Sequence, residues 1–161
     1  MPFAGGAPSA VLMRTAVGAY LGWLFAASVL AGCVAPAPLA PYKVVGDTVP
    51  EVLVATPGDP SRGRAISAGR DANCLLCHSV PESDQPFMGD IGPPLAGVGL
   101  RLSAAQLRLR IVDAAVLNPD TAMPPYYRVS GLRNVAAQYA GKPILTAQQV
   151  EDVVAYLQTL R

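Results

Sequence analysis

A single histidine, His78, occurs in the 161 residues, together with three cysteines, Cys33, Cys74 and Cys77. A structural zinc site takes four ligands, and the run from Cys74 to His78 supplies three at most. An odd cysteine count likewise gives no disulfide framework. Neither sign of charge is in excess: twelve Lys plus Arg oppose eleven Asp plus Glu. The electrostatic footprint of a nucleic-acid binder is therefore missing, and no nucleic-acid partner is expected. There are no internal repeats, and no segment reads convincingly as a paired strand. Residues 1–32 have almost no charge, Arg14 alone.

That uncharged start carries an apolar run from Ala16 to Ala31, broken only by Gly18, Gly22 and Ser28. It is short for a membrane span and suits the h-region of a secretory signal. The run ends in Leu30-Ala31-Gly32-Cys33, which resembles a bacterial lipobox, in which the cysteine is acylated and becomes the first mature residue. Cys33 has no disulfide partner, and Ala35, Ala37 and Ala40 are poor cleavage sites because proline follows each. Residues 1–32 are thus read as a signal of lipoprotein type, with lipidation at Cys33 and a periplasmic, membrane-anchored product; a cut after Ala31 is the alternative. Residues 33–57 read as a Pro/Ala-rich linker with an extended segment. Loss of the signal removes only Arg14, leaving eleven charges of each sign.

Residues 58–161 form the domain. Asp59-Pro60 is a helix start, aspartate at the N-cap and proline at the first helical position. A second helix opens at Ser103, where Ser103 and Gln106 make a capping box and Leu102 with Leu107 a hydrophobic staple. Leu107, Ile111, Ala114 and Ala115 share a face, and Asn118-Pro119 ends the helix. A short third helix is expected over Leu132, Val135, Ala136 and Tyr139. The last repeats the device of the second: Thr146 and Gln149 form the box, Leu145 and Val150 the staple, and Val150, Val153, Val154 and Leu157 the apolar face. The fold class is all-α.

The chemistry sits in Cys74-Leu75-Leu76-Cys77-His78. Two thiols at this spacing can each add across a vinyl group of haem, and the adjacent histidine then ligates the iron from the proximal side. One covalent haem c is the expected cofactor. A second histidine is absent, so methionine is the available sixth ligand. Met88 lies only ten residues past His78; Met123 lies far enough along to reach the opposite face and is stiffened by Pro124-Pro125, which favours Met123. His78 needs an acceptor for its other ring nitrogen, and the carbonyl of Pro93 or Pro94 is suited to that role. Arg101, Arg108 and Arg110 are candidates for partner docking.

The haem motif, Gly89-Asp90-Ile91-Gly92-Pro93-Pro94-Leu95, a distant Met before Pro and a closing helix with Tyr156 resemble a class I cytochrome c. Gly58 to Arg64, Gln106 to Asp113, Leu117 to Arg128 and Gly141 to Thr146 resemble the SoxX family, the small cytochrome subunits of SoxAX complexes in bacterial sulfur oxidation. The resemblance implies a class I fold packed around the haem, Cys74 and Cys77 as its attachment points, and His78 and Met123 as axial ligands. It further implies a SoxA partner whose cysteine couples thiosulfate to the SoxYZ carrier. This chain would be the non-catalytic outlet of that S-thiosulfotransferase, accepting the electrons and passing them to a downstream cytochrome c. A general monohaem carrier and a non-haem thiol or metal protein are the alternatives.

Overall fold

The computed structural model describes residues 39–81 and 83–161. The signal and Cys33 lie outside them. Among the described residues four α-helices follow in order: α1 (Pro60–Ala68), α2 (Val98–Arg101), α3 (Ala104–Asp113) and α4 (Ala147–Thr159). Short 3₁₀ turns cover Cys74–Leu76, Ala114–Val116 and Ala137–Tyr139. The only β pairing described is an isolated bridge between Val45 and Thr48. The architecture is all-α, and none of the described helices is long and apolar enough to cross a membrane.

The helix starts follow from local chemistry. Asp59 caps α1 by accepting from the Ser61 and Arg62 amides, and Pro60 supplies a pre-set φ where no amide is needed. Both capping boxes form completely, Ser103 with Gln106 and Thr146 with Gln149. The staple residues Leu107, Leu145 and Val150 are buried, and Leu102 packs against the same core.

α1 lies directly on α4. A Cβ built at Gly63 would fall on the Asp152 carbonyl oxygen and the Tyr156 Cβ. Glycine costs about 1 kcal/mol of helix propensity relative to alanine, and here it permits the two backbones to touch. At the crossing, Asp152 receives Arg62 Nε and Nη2, each at 2.8 Å. The Arg62 guanidinium holds the Asp152 carboxyl well below the usual range, at about 2.

Four expectations are corrected. α3 does not run to Asn118-Pro119. It breaks at Asp113, whose backbone leaves the helical region at φ −162° while its carboxylate accepts from the Ala115 amide and faces Arg128 Nε at 3.3 Å. The freed carbonyls of Ile111 and Val112 accept instead from the amides of Tyr126 and Tyr127, so tertiary partners satisfy the helix end. The third helix is absent: only Ala137–Tyr139 turns, and none of its residues is buried. With no core face to cover, propensity alone does not hold a short helix.

The third concerns residues 39–57, read as linker and extended segment. Val49 and Leu53 are buried in the domain. The Val49 amide reaches the Ala105 carbonyl, and the Ala40 amide donates to the Tyr127 hydroxyl at 2.8 Å. Arg108, read as a docking candidate, is only 4% exposed. It makes a two-pronged ion pair with Glu151 at 2.7 and 2.9 Å and gives Nη1 to the Val49 carbonyl. Glu151 also accepts from the Leu53 amide. A buried charge pair is tolerated when the remaining polar groups are satisfied, and this segment satisfies them.

Candidate metal centre

Between α1, α3, α4 and the loops after Cys74 and Thr121 lies a cavity of about 500 Å³. Cys74, Cys77, His78 and Met123 all line it, as does Pro93. A volume of this size fits a cofactor or small ligand.

Asn73 opens the proximal wall in the left-handed region, φ 40°, a conformation asparagine tolerates better than most residues. The chain then turns tightly, with the amides of Cys77 and His78 both donating to the Cys74 carbonyl. This turn places two thiols and the imidazole on one wall. The His78 ring is held from behind. Its Nδ1 lies 2.8 Å from the Pro93 carbonyl oxygen, which can only accept, so Nδ1 carries the proton and Nε2 keeps a free lone pair. A Cβ on Gly92 would strike the His78 ring. Of the two prolines left open by the sequence, Pro93 makes the contact; Pro94 instead accepts from Arg101 Nη2 at 3.2 Å.

The two candidate methionines separate. Met88 is 37% exposed, and its sulfur accepts from the Val80 amide at 3.4 Å. Met123 packs against the core and lines the cavity. Its amide donates to Thr121 Oγ1 at 3.2 Å, and the chain beyond it is tied to α3 through the Tyr126 and Tyr127 amides.

Tyr126 was not singled out in the sequence. Its hydroxyl donates to the Ala72 carbonyl at 2.8 Å, linking the methionine loop to the segment just before Cys74. Burial raises the Tyr126 phenol, with the neighbouring Cys74 and Cys77 adding to the effect. Burial also pushes the Cys74 thiol up. Nothing local marks Tyr126, because its partner is 54 residues away. The one signal was its place in Met123-Pro124-Pro125-Tyr126.

The donor set fits a haem: two thiols and an imidazole on one wall, a thioether available on the loop beyond α3, and a largely apolar surround. Among the described residues no cluster of three or more His, Cys, Asp or Glu could hold a metal by itself.

Comparison with known proteins agrees. The cytochrome c family model matches residues 61–161. No curated protein sequence matches the chain. Among solved structures, the crystal structure of SoxXA from P. pantotrophus is similar, at 38% identity and a TM-score of 0.69, covering 74% of this chain and 93% of that one. The non-haem alternative falls with these matches. The chain belongs to the cytochrome c family, in its SoxX branch, with a class I fold and one covalently bound haem c.

Proposed function

We propose that this electron-transfer chain is the redox outlet of a SoxAX-type S-thiosulfotransferase. It pairs with a SoxA-like cytochrome, receives the electrons released when thiosulfate is coupled to the SoxYZ carrier, and hands them to a downstream cytochrome c. The observation that carries the reading is the joint lining of one cavity by Cys74, Cys77, His78 and Met123, with His78 pinned by Pro93, in a chain similar to one in SoxXA.

When bound, the haem supplies a one-electron iron couple. The chain's own residues set its surroundings. Cys74 and Cys77 would hold it by thioether bonds. His78 presents Nε2 in a fixed orientation because Nδ1–H is bound to Pro93, which also raises ligand basicity. Met123 would be the second iron ligand, a weak one that would rely on a loop braced by Thr121 and by Tyr126. No further cysteine lies beyond His78, so the sulfur chemistry belongs to the partner and this chain is non-catalytic. The lipobox-like Leu30-Ala31-Gly32-Cys33 supports export to the periplasm with a lipid anchor at Cys33.

The test is reconstitution. With a SoxA-like subunit and SoxYZ, thiosulfate should reduce this chain; alone, it should show no turnover. Turnover by the isolated chain would overturn the non-catalytic role, and failure to bind any SoxA-like subunit would favour a general monohaem carrier. Met123→Ala should abolish the weak long-wavelength band of sulfur bound to ferric haem, and Met88→Ala should keep it.

A further inference from the structure

The loop that carries Met123 is tied at both ends by backbone bonds. The Thr121 amide meets the Asn118 carbonyl, and the Tyr126 and Tyr127 amides meet the Ile111 and Val112 carbonyls at 3.1 and 3.3 Å. Between Met123 and these tyrosines stand Pro124 and Pro125, whose fixed φ leaves the backbone little slack. The far end of the loop therefore depends on α3 staying broken at Asp113. That carboxylate is 5% exposed and faces Arg128 Nε at 3.3 Å, and the buried Nε makes no hydrogen bond. Water reaching this point would compete for Asp113, for Arg128 and for the long bond from Tyr127 to Val112.

The chain itself covers the point. Leu39, Ala40 and Tyr42 pack against the core. The Ala40 amide donates to the Tyr127 hydroxyl at 2.8 Å, and the Tyr42 and Tyr127 rings lie 6.2 Å apart, tilted by 53°. Burial pushes the Tyr42 phenol up, and Asp113 adds to the effect, so Tyr42 stands beside the break in α3. Tyr127 is left 2% exposed. The bond to Ala40 joins residues 87 positions apart.

Resting on the reading of Met123 as an iron ligand, we propose that Leu39 to Tyr42 form a strap that holds the methionine loop closed, with Tyr127 as the positioning residue through which it acts. Tyr127 is absent from the cavity lining and works through the loop backbone. A thioether is a weak ligand, so its hold on the iron is sensitive to the loop's freedom to open. The last residues of the Pro/Ala run after Cys33 thus belong to the redox centre's support.

The experiment uses purified ferric holoprotein of Ala40→Pro, which removes only the amide donor, of Tyr127→Phe, which removes only the hydroxyl, and of both together. The exposed Lys43→Gln is the surface control. Imidazole is titrated in, and its displacement of methionine is followed by loss of the long-wavelength sulfur–iron band, beside urea unfolding. Each single variant should bind imidazole about fivefold more tightly, the factor set by one hydrogen bond of ordinary net strength. The double variant should match the single ones, because both remove the same bond. Lys43→Gln should bind as wild type does. Single variants that lower the urea midpoint with unchanged imidazole affinity overturn the proposal, and so does a double variant whose effect is the sum of the two. If Ala40→Pro yields no holoprotein, Tyr127→Phe decides, and wild-type affinity overturns it. A wild-type protein without the sulfur–iron band removes the Met123 reading and the proposal with it, whereas a normal band with unaltered imidazole affinity in the variants sinks the strap alone.

Discussion

The crossing of α1 on α4 and the wall around Cys74 to Leu95 are held by different means. At the crossing the polypeptide closes on itself. Gly63 lets two backbones touch, Val150 and Val153 are buried, Arg62 pairs with Asp152 at the crossing, and next to it Arg108 of α3 pairs with Glu151 of α4. The cavity wall is built instead from turns. Backbone to backbone hydrogen bonds, as from Gly92 to Cys77 and from Leu95 to Ser79, join the His78 bond to Pro93, and side chains of this wall line a space of about 500 Å³. Val153 and Leu157 of α4 belong to the core and also line the cavity. The first region is completed by sequence-distant residues, and the second by a cofactor.

The largest effect expected from that contrast is loss of the haem. Without the haem, the apolar side chains that line the space of about 500 Å³ lose the group they pack against. A Cys74→Ala, Cys77→Ala double variant that binds no haem should therefore lose its near-ultraviolet circular dichroism and its cooperative unfolding. Persistence of cooperative melting in that variant would break the comparison, because it would make the α1–α4 region an independent core.

Next in size is the buried pair. Arg108→Ala leaves the Glu151 carboxylate buried with only the Leu53 amide for company, and should cost about 3–5 kcal/mol in urea unfolding of the holoprotein. The haem spectrum at low urea should stay native, since Arg108 is absent from the cavity lining. A spectral change would show the two regions to be coupled more tightly than their contacts suggest.

Tyr126→Phe sharpens the comparison from the other side. It removes the hydroxyl bond to the Ala72 carbonyl, at about 1 kcal/mol of stability. The effect on the methionine loop should exceed the effect on global unfolding, read as earlier loss of the sulfur–iron band on warming.

The smallest effect is electrostatic. Arg62 holds Asp152 at about 2, below its ordinary 3.8. Because the folded value is the lower one, this contribution is complete above the ordinary value and is lost as pH falls from there toward about 2. Asp152→Asn should lower stability at neutral pH by a modest amount, since Arg62 is half exposed to water, and should flatten the acid end of the stability curve. An equally steep acid decline in Asp152→Asn would assign that decline to other carboxylates.

Much of the centre was legible in the sequence. The sequence singles out Cys74, Cys77 and His78 by spacing, and Met123 by distance from His78 and by the prolines after it, and all four border the cavity. Pro93 against Pro94 was not legible, because both offer a rigid carbonyl acceptor to the same neighbourhood; the turn that seats Gly92 under the His78 ring selects Pro93. Among the arginines, Arg108 was misread for a related reason. Arg101, Arg108 and Arg110 sit close together in sequence and look like one charged surface. Yet Arg108 meets a residue 43 positions on, Arg101 meets loop carbonyls, and Arg110 stands at the cavity without a carboxylate.

The sequence by itself determined what depends on nearest neighbours. Asp59-Pro60 and the two capping boxes start helices where they should, since their donors and acceptors lie within three residues. The all-α class and the haem-attachment run follow from the same local rules. Tertiary structure decided what depends on burial and on partners far along the chain. It ended α3 at Asp113, because the Tyr126 and Tyr127 amides were there to take its carbonyls. It left 137–139 as a single turn for want of a face to bury. It drew Val49 and Leu53 into the core, because the buried Arg108–Glu151 pair needs their backbone groups for its remaining hydrogen bonds.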